Sequence, residues 1–341
     1  MPPVTGPFAW FDGQWATDLQ ETVDLTADAG PLDGAGWWAV AATFEGRVTG
    51  YRFADVRRAP LPPPDRAWRG PAVDSWRSSM SRADYLAGVR RIREHVAAGS
   101  VYQVNLCRVL DAPLDDDADP LALAAVLAAG NPAPYQGVLC VDDGFVVTAS
   151  PELFLSRDGS TLVSSPVKGT AGPGEPFADK DTPENVMITD LVRNDLGRVA
   201  VPGSVVVQAL LARQEHPGLA HLVSTVSARL EPGLGWTEVL AATLPPGSVS
   251  GAPKIRALQV IAELEPGTRG QYCGAVGYVD ADRRTARLAV GIRTFTATRD
   301  DSGARRLTFG TGAGITWASD PAAEWAETEL KAARLVGLAS S

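Results

Sequence analysis

Short alternating runs of apolar and polar residues dominate the first 57 positions and predict strands. Residues 9–15 predict a hairpin about Asp12-Gly13, and residues 37–44 and 48–53 a second about Glu45-Gly46. The tryptophans and phenylalanines of these runs suit a core better than a ligand platform, because aromatic side chains dominate buried contact. Proline and arginine then crowd residues 57–76, with Leu61-Pro62-Pro63-Pro64 among them, which predicts an extended connector.

From Ser81 the apolar period lengthens to that of a helix. Tyr85, Val89, Ile92 and Val96 make one stripe, Ser81 stands as N-cap with Asp84 three residues on, and Gly99 ends the segment. Further helices are predicted from Pro120, capped by Asp119, to Gly130; from Pro183, first after Thr182, to Gly197; from Pro253 to about Glu263; and behind Asp320-Pro321 to about Gly337. Strands are predicted over 101–109, over 137–141 and 145–149 as a hairpin across Asp143-Gly144, over 153–168, within 203–230, and over 274–279, 285–298 and 306–309. Strands thus lie in pairs between helices, not singly. That argues against a doubly wound sheet and for an α+β fold, a large antiparallel two-sheet sandwich with outer helices. Residues 1–76 are expected to form a strand-rich region packed on a core of 77–341, together one structural domain.

Composition narrows the partners. The 341 residues are 45% hydrophobic and 21% charged, as a globular protein requires. A net charge of −9 argues against nucleic acid, which wants a basic face, but not against a small anion in a local basic pocket. Cys107, Cys140 and Cys273 are widely spaced without a CxxC pair, and the three histidines are scattered. Disulfides and a zinc site are therefore not expected. No basic-then-apolar leader opens the sequence and no apolar run reaches membrane-spanning length, so a cytoplasmic protein without a membrane partner is expected.

Five features carry candidate chemistry. Lys168 lies in Ser165-Pro166-Val167-Lys168-Gly169-Thr170. It is either a solvated lysine on a turn or an amine held in a site by stiff neighbours. Glu324, Glu327 and Lys331 stand at spacings of three and four, on one helical face; the spacing alone also suits a solvated face with a salt bridge. Asp181 and Glu184 open an earlier helix, where carboxylates also compensate the helix dipole. Two such pairs facing each other would suit Mg²⁺. Phe309-Gly310-Thr311-Gly312-Ala313-Gly314-Ile315 is neither a Walker loop nor a dinucleotide fingerprint. Its glycines would either bring backbone N–H groups to an anion or make a tight turn. Arg293 could pair with a carboxylate or lie on the surface.

Taken in order, several stretches resemble the chorismate-utilising enzymes, the family of anthranilate, isochorismate, salicylate and aminodeoxychorismate synthases. They are Tyr102-Gln103-Val104-Asn105-Leu106, Ser150-Pro151-Glu152, Pro166-Val167-Lys168-Gly169-Thr170, Glu184 to Asp195, Pro246-Gly247-Ser248-Val249-Ser250-Gly251-Ala252-Pro253-Lys254, Ile292-Arg293-Thr294, Gly312-Ala313-Gly314-Ile315 and Glu324-Trp325-Ala326-Glu327-Thr328. The resemblance covers about the last three quarters of the chain and implies a fold like that of anthranilate synthase component I. Lysine at 168, where anthranilate synthases have alanine, resembles the component I branch of aminodeoxychorismate synthase. That branch implies conversion of chorismate and ammonia to 4-amino-4-deoxychorismate, toward p-aminobenzoate and folate. Anthranilate synthase component I and 2-amino-2-deoxyisochorismate synthase are the alternatives. By the same resemblance Lys168 is the nucleophile and Glu152 the general acid. Glu184 and Glu327 hold Mg²⁺, with Asp181 and Glu324 in support. Arg293, Tyr272, Gly312 and Gly314 grip a substrate carboxylate, and Lys331, Ser250, His221 and Thr170 line the pocket. Ser250 stands where threonine is usual. About 75 residues precede the first helix of the family pattern, so a tryptophan feedback pocket is not expected. The chain has no amidotransferase motif, which implies a separate glutaminase subunit as ammonia source.

Overall fold

The computed structural model describes residues 6–141, 144–172, 174–216 and 219–340. A first hairpin joins β1 (Phe8–Phe11) to β2 (Gln14–Asp24). Its turn residues Asp12 and Gly13 sit at φ 52° and 70°, the left-handed pair that a two-residue hairpin needs. A second joins β3 (Trp37–Ala42) to β4 (Val48–Arg58) across Gly46. An extended connector leads to β5 (Arg77–Ser78) and α1 (Arg82–Ala97), whose first turn is capped by Ser81 through the Asp84 N–H. Then come β6 (Gln103–Pro113), α2 (Pro120–Gly130) capped by Asp119, β7 (Tyr135–Val141), β8 (Gly144–Ser150), β9 (Leu153–Asp158), β10 (Thr161–Ser165) and β11 (Val167–Ala171). The hairpin expected across Asp143-Gly144 is formed by β7 and β8, with residues 142 and 143 outside the described residues. The rest is α3 (Asp181–Gly197), β12 (Val206–His216), β13 (Leu219–Arg229), α4 (Trp236–Thr243), β14 (Gly251–Ala252), α5 (Lys254–Leu264), β15 (Ala275–Asp280), β16 (Thr285–Val290), β17 (Thr294–Arg299), β18 (Arg305–Ile315) and α6 (Pro321–Ala339), capped by Asp320.

Among the described residues all pairings are antiparallel, and the eighteen strands form one ladder. It runs β12, β13, β10, β9, β16, β15, β3, β4, β2, β1, β7, β8, β17, β18, β6, with β11 also on β13 and β5 and β14 on β6. The two expected sheets are therefore two halves of one sheet. Phe11, Trp37, Ala39, Leu139, Val146, Val276 and Tyr278 pack in one cluster although β15 and β8 are far apart in the ladder, so the sheet curves back over them. Helices cover its outer faces. Tyr85, Val89 and Ile92 of α1, Val192 and Leu196 of α3 and Val260 of α5 share the largest core. Leu121, Leu123 and Leu127 of α2 and Leu335 of α6 share another with Phe145, Phe295 and Phe309. Each such side chain contributes about 1.5–3 kcal/mol by leaving water.

Four local departures from the sequence reading have physical causes. The α3 helix begins at Asp181, so Pro183 sits inside its first turn, where its missing N–H has no partner to lose. The helix α4 was not expected: its N-cap Gly235 has no side chain to cap with, and the Asp33 carboxylate, 203 residues away, accepts from the Trp236 N–H at 2.7 Å while Glu238 accepts from the Gly235 N–H at 2.9 Å. Residues 285–298 form two strands, because Arg293 takes φ 51° between β16 and β17. Of the two readings of the glycine-rich segment the tight turn is not formed: the segment is the end of β18, paired with β6 as far as Ile315 opposite Val104. No helix among the described residues is long and apolar enough to cross a membrane.

Candidate active site

Lys168 lies on a β-bulge. Val167 pairs with Val223 and Thr170 with His221, so Lys168 and Gly169 together oppose Leu222. Such a bulge re-aims a side chain. Gly169 adopts φ 93°, and a Cβ there would come within 2.9 Å of the Asp181 carboxylate. Asn185 of α3 clamps the bulge, its amide donating to the Leu222 carbonyl at 3.0 Å and the Lys168 carbonyl at 3.4 Å. The lysine side chain points inward and is largely buried, its Nζ 2.8 Å from Glu184 Oε1. Burial pushes the Lys168 pKa down, but Glu184 beside it and Glu152 and Glu327 beyond push harder, and it stands above its ordinary value. The ammonium is the form present in this arrangement.

The first turn of α3 and one face of α6 bring the four candidate metal carboxylates together. Glu184 accepts from Gln103 Nε2 at 2.6 Å as well as from Lys168, and these contacts outweigh burial to lower its pKa. Glu327 is held by Lys331 at 2.7 Å and Lys180 at 3.3 Å, which lower its pKa against the effect of burial. Asp181 and Glu324 are buried, and burial raises both. Glu324 Oε1 accepts from Ser319 at 2.6 Å, while Oε2 is buried without a hydrogen-bond partner. An all-oxygen set of four carboxylates with one orphaned oxygen suits a hard divalent cation. Yet no three Asp, Glu, His or Cys side chains among the described residues converge closely enough to hold an ion as placed. Lysine ammonium groups stand among them, and an ion would have to displace Lys168 from Glu184 and Lys331 from Glu327.

Glu152 follows Pro151 at the head of β9 and is 3% exposed. Burial raises its pKa to about 7, against the opposing pull of the Ser248 hydroxyl, the Lys168 charge and the Val167 N–H. It is therefore a carboxyl that can both give and take a proton near neutrality. The Ser248 loop is tied to α3 by an ion pair between Lys254 and Asp195, Nζ to Oδ2 2.6 Å.

Beyond Phe309, β17 no longer pairs with β18, so the second edge of the glycine-rich end has no strand partner among the described residues. Its glycines answer close approaches. A Cβ at Gly310 would strike the Tyr272 ring, one at Gly312 the Cys107 sulfur at 2.5 Å, and one at Gly314 Gln103 Nε2 at 2.0 Å and Glu184 Oε1 at 2.7 Å. Lys331 Nζ donates to the Gly312 carbonyl at 3.1 Å. Thr170 and His221 Nδ1 are hydrogen-bonded at 3.0 Å. Arg293 and His221 line one cleft with Pro151, and no carboxylate among the described residues pairs with Arg293. Burial lowers its pKa, with Arg334 adding to the effect. Ser250 is fully buried and its hydroxyl donates to the Gly247 carbonyl at 3.2 Å. Its contacts are those of a loop, not of the carboxylate cluster.

Sequence reasoning missed Ser248 on Glu152, Gln103 on Glu184 and Lys180 on Glu327. Gln103 and Ser248 stood in the quoted motifs, but their targets lie 81 and 96 residues away and no spacing rule connects them. Lys180, which precedes Asp181, carried no periodic signal.

Residues 44–337 match the family model of chorismate binding enzymes. Aminodeoxychorismate synthase component 1 of Salmonella typhimurium is 37% identical over 298 residues, covering 84% of this chain and 63% of that protein. Anthranilate synthase component 1 of Streptomyces coelicolor is 39% identical over 298 residues, covering 80% and 56%. This chain thus spans under two thirds of the length of these curated relatives. Among solved structures, anthranilate synthase component I from Streptococcus pneumoniae superposes with a TM-score of 0.80 at 22% identity, covering 98% of this chain and 93% of that one. The menaquinone-specific isochorismate synthase of Escherichia coli gives 0.78 at 19%, covering 99% and 90%. These likenesses establish the fold, an α+β architecture of anthranilate synthase component I type.

Proposed function

Because the chain belongs to the chorismate-binding enzyme family, we propose that it is the aminating component of an aminodeoxychorismate synthase. It would convert chorismate and ammonia to 4-amino-4-deoxychorismate. The observation that supports this over anthranilate formation is Lys168, aimed by its bulge into the carboxylate cluster beside Glu184. Relatives of both kinds are about equally similar, so the choice rests on that amine's chemistry.

In the proposed reaction Lys168 Nζ forms a bond to C2 of the ring as the C4–O bond breaks and the double bonds shift. Glu152, poised near neutrality, gives its proton to the departing hydroxyl, which leaves as water. Ammonia then bonds to C4, the double bonds shift back, and the C2–N bond to Lys168 breaks. Glu152 takes up the proton that the new amine releases. One hard displacement thus becomes two easier ones. The attack needs a neutral amine. Loss of the Glu184 contact removes the largest influence that raises the Lys168 pKa and leaves burial, which lowers it, opposed only by the more distant Glu152 and Glu327. Glu184 and Glu327, with Asp181 and Glu324 behind them, would hold Mg²⁺, which when bound neutralises and orients the ring carboxylate. Arg293 and Tyr272, with the open edge at Gly312 and Gly314, would take the other carboxylate, and Thr170, His221, Lys331 and Ser250 would shape the pocket. The ammonia would come from a separate glutaminase, which the relatives' name "component 1" supports.

The test is product identity. The purified chain is incubated with chorismate, Mg²⁺ and ammonium, and an aminodeoxychorismate lyase is then added. p-Aminobenzoate is the expected product; anthranilate before lyase, or no turnover, overturns the reading.

A further inference from the structure

The face of α6 that holds the candidate metal carboxylates runs on past them. Glu324, Glu327, Lys331 and Arg334 follow at spacings of three, four and three, which keeps them on one side of the helix. Arg334 is the residue of this stripe that the motifs do not reach. Its Nε donates to the Gly130 carbonyl at the end of α2 at 2.9 Å, and Nη2 donates to the same oxygen. No described group accepts from Nη1. The guanidinium lines the cleft that Arg293, His221 and Pro151 also line, and among the described residues no Asp or Glu lines it. Arg293 is partly buried, and its backbone is pinned at φ 51° between two strands.

Two guanidinium groups facing one cleft without a carboxylate repel each other until an anion enters. Carboxylates fit the planar fork of arginine, and a second arginine lets both carboxylate oxygens be met. Arg334 stands seven positions beyond Glu327, about 10 Å further along the helix axis. We propose that Arg334 and Arg293 together form a two-arginine subsite for the substrate carboxylate remote from the metal carboxylates, and that Arg334 sets the preference for dicarboxylate over monocarboxylate ligands. The inference rests on the functional reading above, because it takes that substrate to be chorismate.

Calorimetric titration of the whole chain in Mg²⁺ without ammonium tests it, with chorismate as the dicarboxylate and benzoate as a monocarboxylate that mimics only the ring end. Arg334→Leu removes the charge and the contact to Gly130. Arg334→Gln keeps an amide donor for that carbonyl and removes only the charge. Both variants are expected to weaken chorismate binding at least about tenfold, the loss of a charge-assisted contact, and to leave benzoate within about twofold. Unchanged chorismate affinity in both variants overturns the subsite alone. So does a loss confined to Arg334→Leu, which would assign Arg334 to holding α2, and so does an equal loss for benzoate. A wild-type chain that binds no chorismate overturns the functional reading and the subsite with it.

Discussion

Replacing Glu152 with Gln should make the protein more stable at alkaline pH. The carboxyl is buried and its pKa is raised by burial from 4.5 to about 7. Below pH 4.5 it is protonated in both folded and unfolded chains, and Glu and Gln should then be nearly equivalent. Between pH 4.5 and about 7 the unfolded chain loses the proton while the folded chain keeps it, so wild-type stability falls as pH rises. Above about 7 a buried carboxylate remains, at a penalty of about 3 kcal/mol, from about 1.4 kcal/mol per unit of pKa shift. Urea denaturation of wild type and Glu152→Gln from pH 4.5 to 9 reads this directly. The difference should be small at the acid end, grow in favour of Gln through pH 7, and then level off. Parallel curves across that range would refute the assignment of Glu152 as a desolvated acid. The same titration predicts that kcat/KM of the wild type falls on an alkaline limb near pH 7, since the reaction begins from protonated Glu152.

Ser248→Ala removes a hydrogen bond that lowers the Glu152 pKa, so the alkaline limb of the pH–rate profile should move to higher pH; a limb that stays or moves down contradicts the contact. Gly314→Ala places a methyl 2.0 Å from Gln103 Nε2 and 2.7 Å from Glu184 Oε1. A loss of about 1–3 kcal/mol on thermal denaturation is expected, with a higher Mg²⁺ requirement in the activity assay; neither change would mean that the two side chains yield freely. Lys254→Met leaves the buried Asp195 carboxylate without its partner and should destabilise by about 3–5 kcal/mol in urea, whereas a loss below about 1 kcal/mol would mean that Asp195 takes up a proton at little cost.

Local signals were legible where they were short in sequence. Ser81, Asp119 and Asp320 cap the helices they precede, and Asp12-Gly13 turns the first hairpin, because each acts on backbone within three residues. The start of α4 was harder to read because its N-cap is a glycine and Asp33 meets the Trp236 N–H from across the fold, with only the Glu238 contact to the Gly235 N–H made locally. The end of β18 read equally as a backbone approach or as a tight turn, because glycines mark both; only the neighbours Tyr272, Cys107 and Glu184 tell the two apart. Lys168 shows the same limit. Its sequence suited either a surface turn or a constrained site. The structure puts it on a bulge, whose existence depends on pairing with β13 and a clamp from Asn185 on α3. The ion pair with Glu184, which raises its pKa, could not be read from spacing at all.

Covalent attachment to Lys168 is the step on which the proposed chemistry depends, and peptide mass spectrometry measures it most directly. The whole chain is incubated with chorismate and Mg²⁺ without ammonium, quenched and digested. The peptide containing Lys168 should carry the mass of chorismate less one water, lose it on a chase with ammonium, and show none in Lys168→Ala. An unmodified Lys168 in a preparation that still aminates chorismate at C4, or an active Lys168→Ala variant, would contradict the covalent route.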